Sequence, residues 1–154
     1  MTVELRNESA EPVDEEGLRA LAVFAMRRLH LHPDTELSVV CVTPDVIAEL
    51  HEQWLDEPGP TDVLSFPMDE LRPGEPDRQT GPGILGDVVL CPVVAQQQAV
   101  AAGRDPGHEQ RILLAHGILH LLGYDHVEPE EEAAMFSLQR SLVADFERAP
   151  GPHD

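Results

Sequence analysis

Residues 115–126, AHGILHLLGYDH, hold three histidines, His116, His120 and His126, in an apolar segment. The leucines and isoleucine between them predict a buried helix, and Gly123 readily takes the left-handed conformation that ends one. Residues four apart lie on one face of a helix, so His116 and His120 can bind one ion together. The turn at Gly123 would let His126 return to the same ion as a third ligand.

The three imidazoles predict a metal site of the catalytic kind. Three nitrogen ligands leave one position of a tetrahedral zinc ion open for water, whereas four protein ligands close a structural site. Nitrogen donors without thiolates favour Zn²⁺, one per chain, with nickel or copper as alternatives. The competing interpretation, histidines packed as ordinary core residues, would bury three polar rings without compensation.

The residue after the first histidine narrows the choice of reaction. Zinc peptidases of the HExxH type carry a glutamate there, which acts as the general base, but this chain has Gly117. The missing base argues against peptide hydrolysis. It favours phosphodiester cleavage, in which the 2′-hydroxyl of RNA and metal-activated water depend less on a general base from the protein. Asp125 is the candidate catalytic base. It could instead orient an imidazole N–H or simply cap the turn.

The periodicity around this segment predicts a small mixed fold. We expect strands at 3–6, 36–43, 61–67 and 84–92, and helices at 14–30, 44–55, 92–103, 107–123 and 128–149. This order predicts one α+β domain over residues 1–150, a mixed sheet of about four strands packed with about five helices, and a disordered tail at 151–154. Strands separated by helices should pair in parallel, and those joined by the long loop 68–83 should pair antiparallel. Such a loop is expected to be functional or mobile.

Composition limits the partners. The 154-residue chain has a formal charge of −19, and all ten of its basic residues are arginine. This charge argues against tight, unaided binding to nucleic acid, although a bound divalent ion would make the region of the histidines positive. The chain has no apolar run of membrane-spanning length and begins without a signal peptide, so we expect a cytoplasmic protein without a membrane partner. Cys41 and Cys91 are expected to be buried free thiols.

Three segments resemble one known family. HGILHLLGYDH resembles the HGxLHLxGYDH signature of the YbeY family, PTDVLSFP (60–67) its second hallmark, and LGDVVLCP (85–92) its Gly-Asp strand. The resemblance covers nearly the whole chain. It implies a zinc-dependent, single-strand-specific endoribonuclease in 16S rRNA 3′-end maturation and 70S ribosome quality control, with all three histidines as ligands. It also implies rRNA or ribosomal particles as partners, reached through a ribosomal protein or a GTPase, and no DNA.

The chain departs from the family pattern at Leu55. Family members often have an arginine there that is thought to meet the substrate phosphate, and no arginine lies between Arg28 and Arg72. The role is therefore vacant or has moved to another arginine. The candidates are Arg72 and Arg78 in the long loop, Arg104, which stands where a histidine is common, and Arg111.

Ser65 is the remaining candidate for substrate contact. Its segment has polar residues at Thr61, Asp62 and Ser65 among apolar ones. The functional interpretation places Ser65 near a substrate groove, whereas the structural one treats the apolar members as core and the polar ones as shaping the start of the strand.

Two other functions remain open from the sequence. One is a zinc peptidase or amidase, which metal-dependent cleavage of a peptide library would support. The other is a non-catalytic ribosome-assembly module whose metal is structural. The coordination of the metal distinguishes the last case, because a structural ion would have a fourth protein ligand.

Overall fold

Four strands and five helices make up the part of the chain that the computed structural model describes, residues 1–124 and 128–149. Their order confirms the predicted β-α-β-α-β-β-α-α-α succession. The strands are β1 (Thr2–Asn7), β2 (Glu36–Cys41), β3 (Val63–Pro67) and β4 (Ile84–Leu90). The helices are α1 (Glu15–Arg28), α2 (Pro44–Leu55), α3 (Pro92–Ala102), α4 (Pro106–Leu121) and α5 (Pro129–Arg148). The predicted tail at 151–154 lies outside the described residues.

The strands form one mixed sheet in the order β1-β2-β4-β3. β1 pairs with β2, and β2 with β4, in parallel, while β3 pairs with β4 antiparallel, as the connections predict. Helical crossovers join the parallel strands, and the loop 68–83 returns the chain beside β3. The predicted α+β fold with one mixed sheet is therefore confirmed, and β3 is left as an edge strand.

Each face of the sheet has its own apolar cluster. The larger one packs α1, α4 and α5 on one face, where Leu37, Val39 and Val88 are buried at 0–2% exposure. The smaller one lies on the face that α2 covers, around Ile47 and Leu64. Alternate residues of a strand point to opposite faces, which is why Val88 joins the first cluster and its neighbours do not.

Both cysteines are buried free thiols, as predicted. Burial, with smaller effects from Glu15 and Cys91, raises the pKa of the Cys41 thiol from the 9.0 of an exposed thiol to about 11. No helix in the described ranges is long and apolar enough to cross a bilayer.

The loop 68–83 is bonded to the rest of the fold at several points. Gly74 N–H donates to the Leu29 carbonyl over 2.9 Å, and Thr80 N–H donates to the His30 carbonyl over 3.2 Å. The Asp69 carboxylate accepts from Ile84 N–H at 2.7 Å. These bonds attach the loop to the end of α1 and the start of β4, so its arginines have defined places.

Candidate metal centre and its surroundings

His116 and His120 converge on one point beside α4. Their Nε2 atoms lie 3.1 Å apart, and both side chains are half-buried. Two ligands at zinc–nitrogen distances of 2.0–2.1 Å in a tetrahedron stand about 3.3 Å apart, so this spacing suits a shared ion. No group of three potential ligands converges within residues 1–124 and 128–149. His126 and Asp125 lie outside those residues, and their roles stay predictions.

Gln139 of α5 fixes the orientation of the first imidazole. Its Oε1 lies 2.8 Å from Nδ1 of His116, and Gln139 is only 7% exposed. An Nδ1–H that donates to this oxygen leaves the Nε2 lone pair for a metal. The ring of Phe136 stacks on the same imidazole, with centroids 5.9 Å apart and planes 20° apart. Gln139 was not among the predicted site residues, although a polar residue within the buried stripe of α5 is a signal that the sequence carries.

Gly117 faces the sheet. A Cβ atom at this position would lie 2.8 Å from Cγ1 of Val88 and 3.2 Å from Oγ of Ser65. The Ser65 hydroxyl donates to the Gly117 carbonyl over 2.9 Å. The absence of a side chain therefore lets α4 lie close against β3 and β4.

The histidines occupy the side of α4 nearer to β3. Successive helix residues rotate by about 100°, which puts Leu114 and Ile118 on one side of Gly117 and the two histidines on the other. Leu114 and Ile118 are fully buried, and α1 packs on both β1 and α4. The buried side of α4 therefore faces α1, and the histidines face the edge of the sheet formed by β3.

Arg72 lies at the end of the same helix. Gly123 has a φ of +92°, and a Cβ there would lie 2.7 Å from Cζ of Arg72. The guanidinium also donates to the carbonyls of Glu70 and Leu71 at 3.2 and 3.1 Å. Arg72 is an exposed cation that reaches this turn from the long loop, and Gly123 itself stands three residues after His120.

Two of the other predicted phosphate ligands are engaged in ion pairs. Arg104 contacts the buried Glu109 at 2.8 Å, and Arg111 contacts Glu147 at 2.6 Å. His108, two turns before the histidine pair, also contacts Glu147 at 2.7 Å. Burial raises the pKa of Glu147, but the hydrogen bonds and charges of His108 and Arg111 outweigh it and lower the pKa overall. Substrate binding by either arginine stays a prediction.

The chain matches known proteins over almost its full length. A family model described as Endoribonuclease YbeY matches residues 4–147. The Endoribonuclease YbeY of Clavibacter sepedonicus is 58% identical over 146 residues, which are 95% of each chain. That of Thermobifida fusca is 56% identical over 149 residues, covering 97% of this chain and 96% of the relative.

The chain belongs to the YbeY family of endoribonucleases. The resemblance predicted from the histidine signature is thereby confirmed. The solution structure of TM1509 from Thermotoga maritima has the same fold at a TM-score of 0.62, with 27% identity over 94% of this chain and 88% of that one.

The position where the resemblance led us to expect a phosphate-binding arginine is exposed. Leu55 ends α2 and is 53% exposed, and the neighbouring Trp54 is 62% exposed. The Trp54 ring meets Phe66 edge-on at 6.3 Å and forms a wall of a groove of about 480 Å³ on the α2 face of the sheet. The groove is also lined by Arg6, Ser38, Val40, Leu50, Asp87 and Val89.

Proposed function

We propose that this YbeY-family protein is a zinc-dependent endoribonuclease that cleaves single-stranded RNA. The observation that supports a bound metal ion is the 3.1 Å distance between the Nε2 atoms of His116 and His120, together with the contact of Gln139 with Nδ1 of His116. His126 is proposed as the third ligand. Nitrogen-only donors favour zinc over harder cations, and three of them would leave one position for water or substrate.

The chain's own groups then orient the substrate. His116, His120 and His126 would hold a divalent ion, which when bound would supply Lewis acidity toward a phosphoryl oxygen and lower the pKa of coordinated water. The exposed guanidinium of Arg72, beside Gly123, is placed to attract a phosphate and is the arginine we favour for that role. Asp125 remains the proposed base.

Packing at Gly117 supports RNA cleavage over the peptidase alternative. A glutamate at this position would enter the interface between α4 and the sheet, where a Cβ alone meets Val88 at 2.8 Å. The general base of the HExxH type therefore has no room in this fold. A substrate with an internal 2′-hydroxyl nucleophile depends less on a general base from the protein.

The proposed cellular role is 16S rRNA 3′-end maturation and 70S ribosome quality control in the cytoplasm. We propose that a ribosomal protein or a GTPase brings the enzyme to ribosomal particles, because a chain of charge −19 is repelled by bare RNA. The groove beside Trp54 offers such a partner an apolar surface. The neighbouring surface of α2 carries Glu49 and Glu52, and these carboxylates favour a basic partner segment.

The test compares His120→Ala with His108→Ala, a matched change on the same helix outside the proposed centre. His120→Ala should lose bound zinc and all cleavage of a labelled single-stranded RNA, whereas His108→Ala should keep its zinc. Elemental analysis and gel-resolved cleavage provide the two measurements. Unchanged zinc in folded His120→Ala would overturn the ligand assignment, and zinc-loaded protein that cleaves peptides but no RNA would overturn the reaction.

A further inference from the structure

The backbone of β3 exposes one set of its hydrogen-bonding groups at the edge of the sheet. The carbonyl of Asp62 accepts from Cys91 N–H of the neighbouring segment over 3.0 Å. In an antiparallel pair the groups that face the partner alternate along the strand, so the register assigns the even-numbered residues of β3 to β4. The residues whose backbone groups point to the free edge are Val63, Ser65 and Pro67.

Two of these three positions offer no donor. The N–H of Val63 is taken by the Asp62 carboxylate at 2.7 Å, and Pro67 has no N–H. Among the described residues of the strand, Ser65 therefore carries the one N–H that points outward from this edge. Such blocking is how edge strands avoid pairing with other strands.

The remaining donor is held close to the histidine helix. The Ser65 hydroxyl bonds to the carbonyl of Gly117, the residue directly after His116. Asp62, which blocks the preceding position, is itself held by Gln98 Nε2 at 3.2 Å. The histidine side of α4 faces this same edge, so the outward N–H of Ser65 belongs to a residue that contacts the turn of α4 carrying His116.

We propose that the backbone N–H of Ser65 donates to a phosphate oxygen of single-stranded RNA lying along the edge of β3. The proposal rests on the proposed function and adds a neutral binding group to it. A hydrogen bond to an ionised acceptor is about twice as strong as one between neutral groups. Outward carbonyls of Val63 and Ser65 can accept from 2′-hydroxyls, the group that distinguishes RNA from DNA.

The same edge is poorly suited to a peptide. A peptide that added to β3 as a strand would need donors at alternate positions along it, and two of three are blocked. RNA needs no such regular ladder, because its phosphates and hydroxyls can use one donor and separate acceptors. The edge therefore favours a nucleic-acid strand over a polypeptide.

Replacing Ser65 by two different residues isolates the N–H. Ser65→Ala and Ser65→Pro both lose the hydroxyl, but only Ser65→Pro loses the donor, and proline is tolerated on an edge where the N–H points outward. Ser65→Pro should bind a labelled single-stranded RNA about 10-fold or more weakly than Ser65→Ala, as read by fluorescence anisotropy. Equal affinities in two folded variants would overturn the proposal.

A second measurement uses the unaltered protein, in case Ser65→Pro does not fold. Sulfur replaces each non-bridging phosphate oxygen of the RNA in turn, one diastereomer at a time. One phosphate should show weakened binding that cadmium does not restore, because sulfur is a poor acceptor for N–H. If cadmium restores binding at every phosphate where sulfur weakens it, the proposed contact with the Ser65 N–H is overturned. Binding without any metal-dependent cleavage would instead count against the proposed function alone.

Discussion

A side chain at Gly117 would collide with Val88: the nearest approach of a Cβ would be 2.8 Å, to the Cγ1 atom of that valine. Val88 is fully buried in the middle of β4, so it cannot move aside without disturbing the larger core. The glycine that interrupts the peptidase pattern is therefore required by the packing of α4 on the sheet. The missing glutamate and the close helix–sheet contact have the same cause.

Gly117→Ala should destabilise the fold. Forcing one methyl group into a packed interface typically costs about 1–3 kcal/mol. Thermal or urea unfolding measures the loss, and Gly107→Ala, in the first turn of α4, is the matched control. A Cβ at Gly107 would lie 3.1 Å from the carboxylate of Asp105, which caps α4, and 3.5 Å from Nη1 of Arg111, and both contacts are with the ends of side chains rather than with buried core atoms. Equal stabilities of the two variants would show that the α4 interface can relax.

Gln139→Leu should weaken metal binding without removing a ligand. Loss of the bond to His116 frees the imidazole to rotate and to change tautomer. Because partners of this kind typically contribute about 10- to 100-fold in metal affinity, we expect the zinc affinity of Gln139→Leu to fall by about that factor. Competition with a chelator measures zinc affinity. Gln139→Glu, which keeps an acceptor at the same place, should retain more affinity than Gln139→Leu. The reverse order would contradict the proposed role of the oxygen.

The sequence predicted the fold and the proximity of His116 and His120 because both depend on short-range patterns. Helical spacing places His116 and His120 together whatever the rest of the chain does, and alternating residues identify the strands. Contacts between distant segments are not encoded in that way. Neither the bond from Gln139 to His116 nor the place of Arg72 beside Gly123 could be predicted, because each depends on how α5 and the loop 68–83 pack.

The Cys41 thiol should resist labelling and should make the fold less stable in alkali. Its pKa is about 11 in the folded chain, against 9.0 when exposed. The unfolded chain therefore loses the proton first, and stability falls as pH rises above 9, by about 1.4 kcal/mol at pH 10. Urea unfolding of the wild type and Cys41→Ala between pH 8 and 10 compares the slopes. If Cys41→Ala loses stability with rising pH as steeply as the wild type, the Cys41 thiol is not the cause of the pH dependence.

Arg72→Ala should reduce the salt dependence of RNA binding. A lost phosphate contact lowers the slope of log affinity against log salt by about 0.7 for a single strand. Arg78→Ala is the matched control, because Arg78 is exposed in the same loop. Affinity measured over a range of salt concentrations gives the slopes. If Arg78→Ala changes the slope and Arg72→Ala does not, the phosphate contact belongs elsewhere in the loop.

Leu55→Arg should strengthen RNA binding. Leu55 is 53% exposed at the end of α2, so an arginine can replace it without disturbing the core, and the family resemblance led us to expect an arginine there. A phosphate contact restored at this point should raise affinity for single-stranded RNA several-fold and steepen the salt dependence by about 0.7. Gln53→Arg adds the same charge to an exposed position of the same helix. Equal gains from both variants would mean that only net charge had changed, whereas a gain confined to Leu55→Arg would identify that position as part of the path of the RNA backbone.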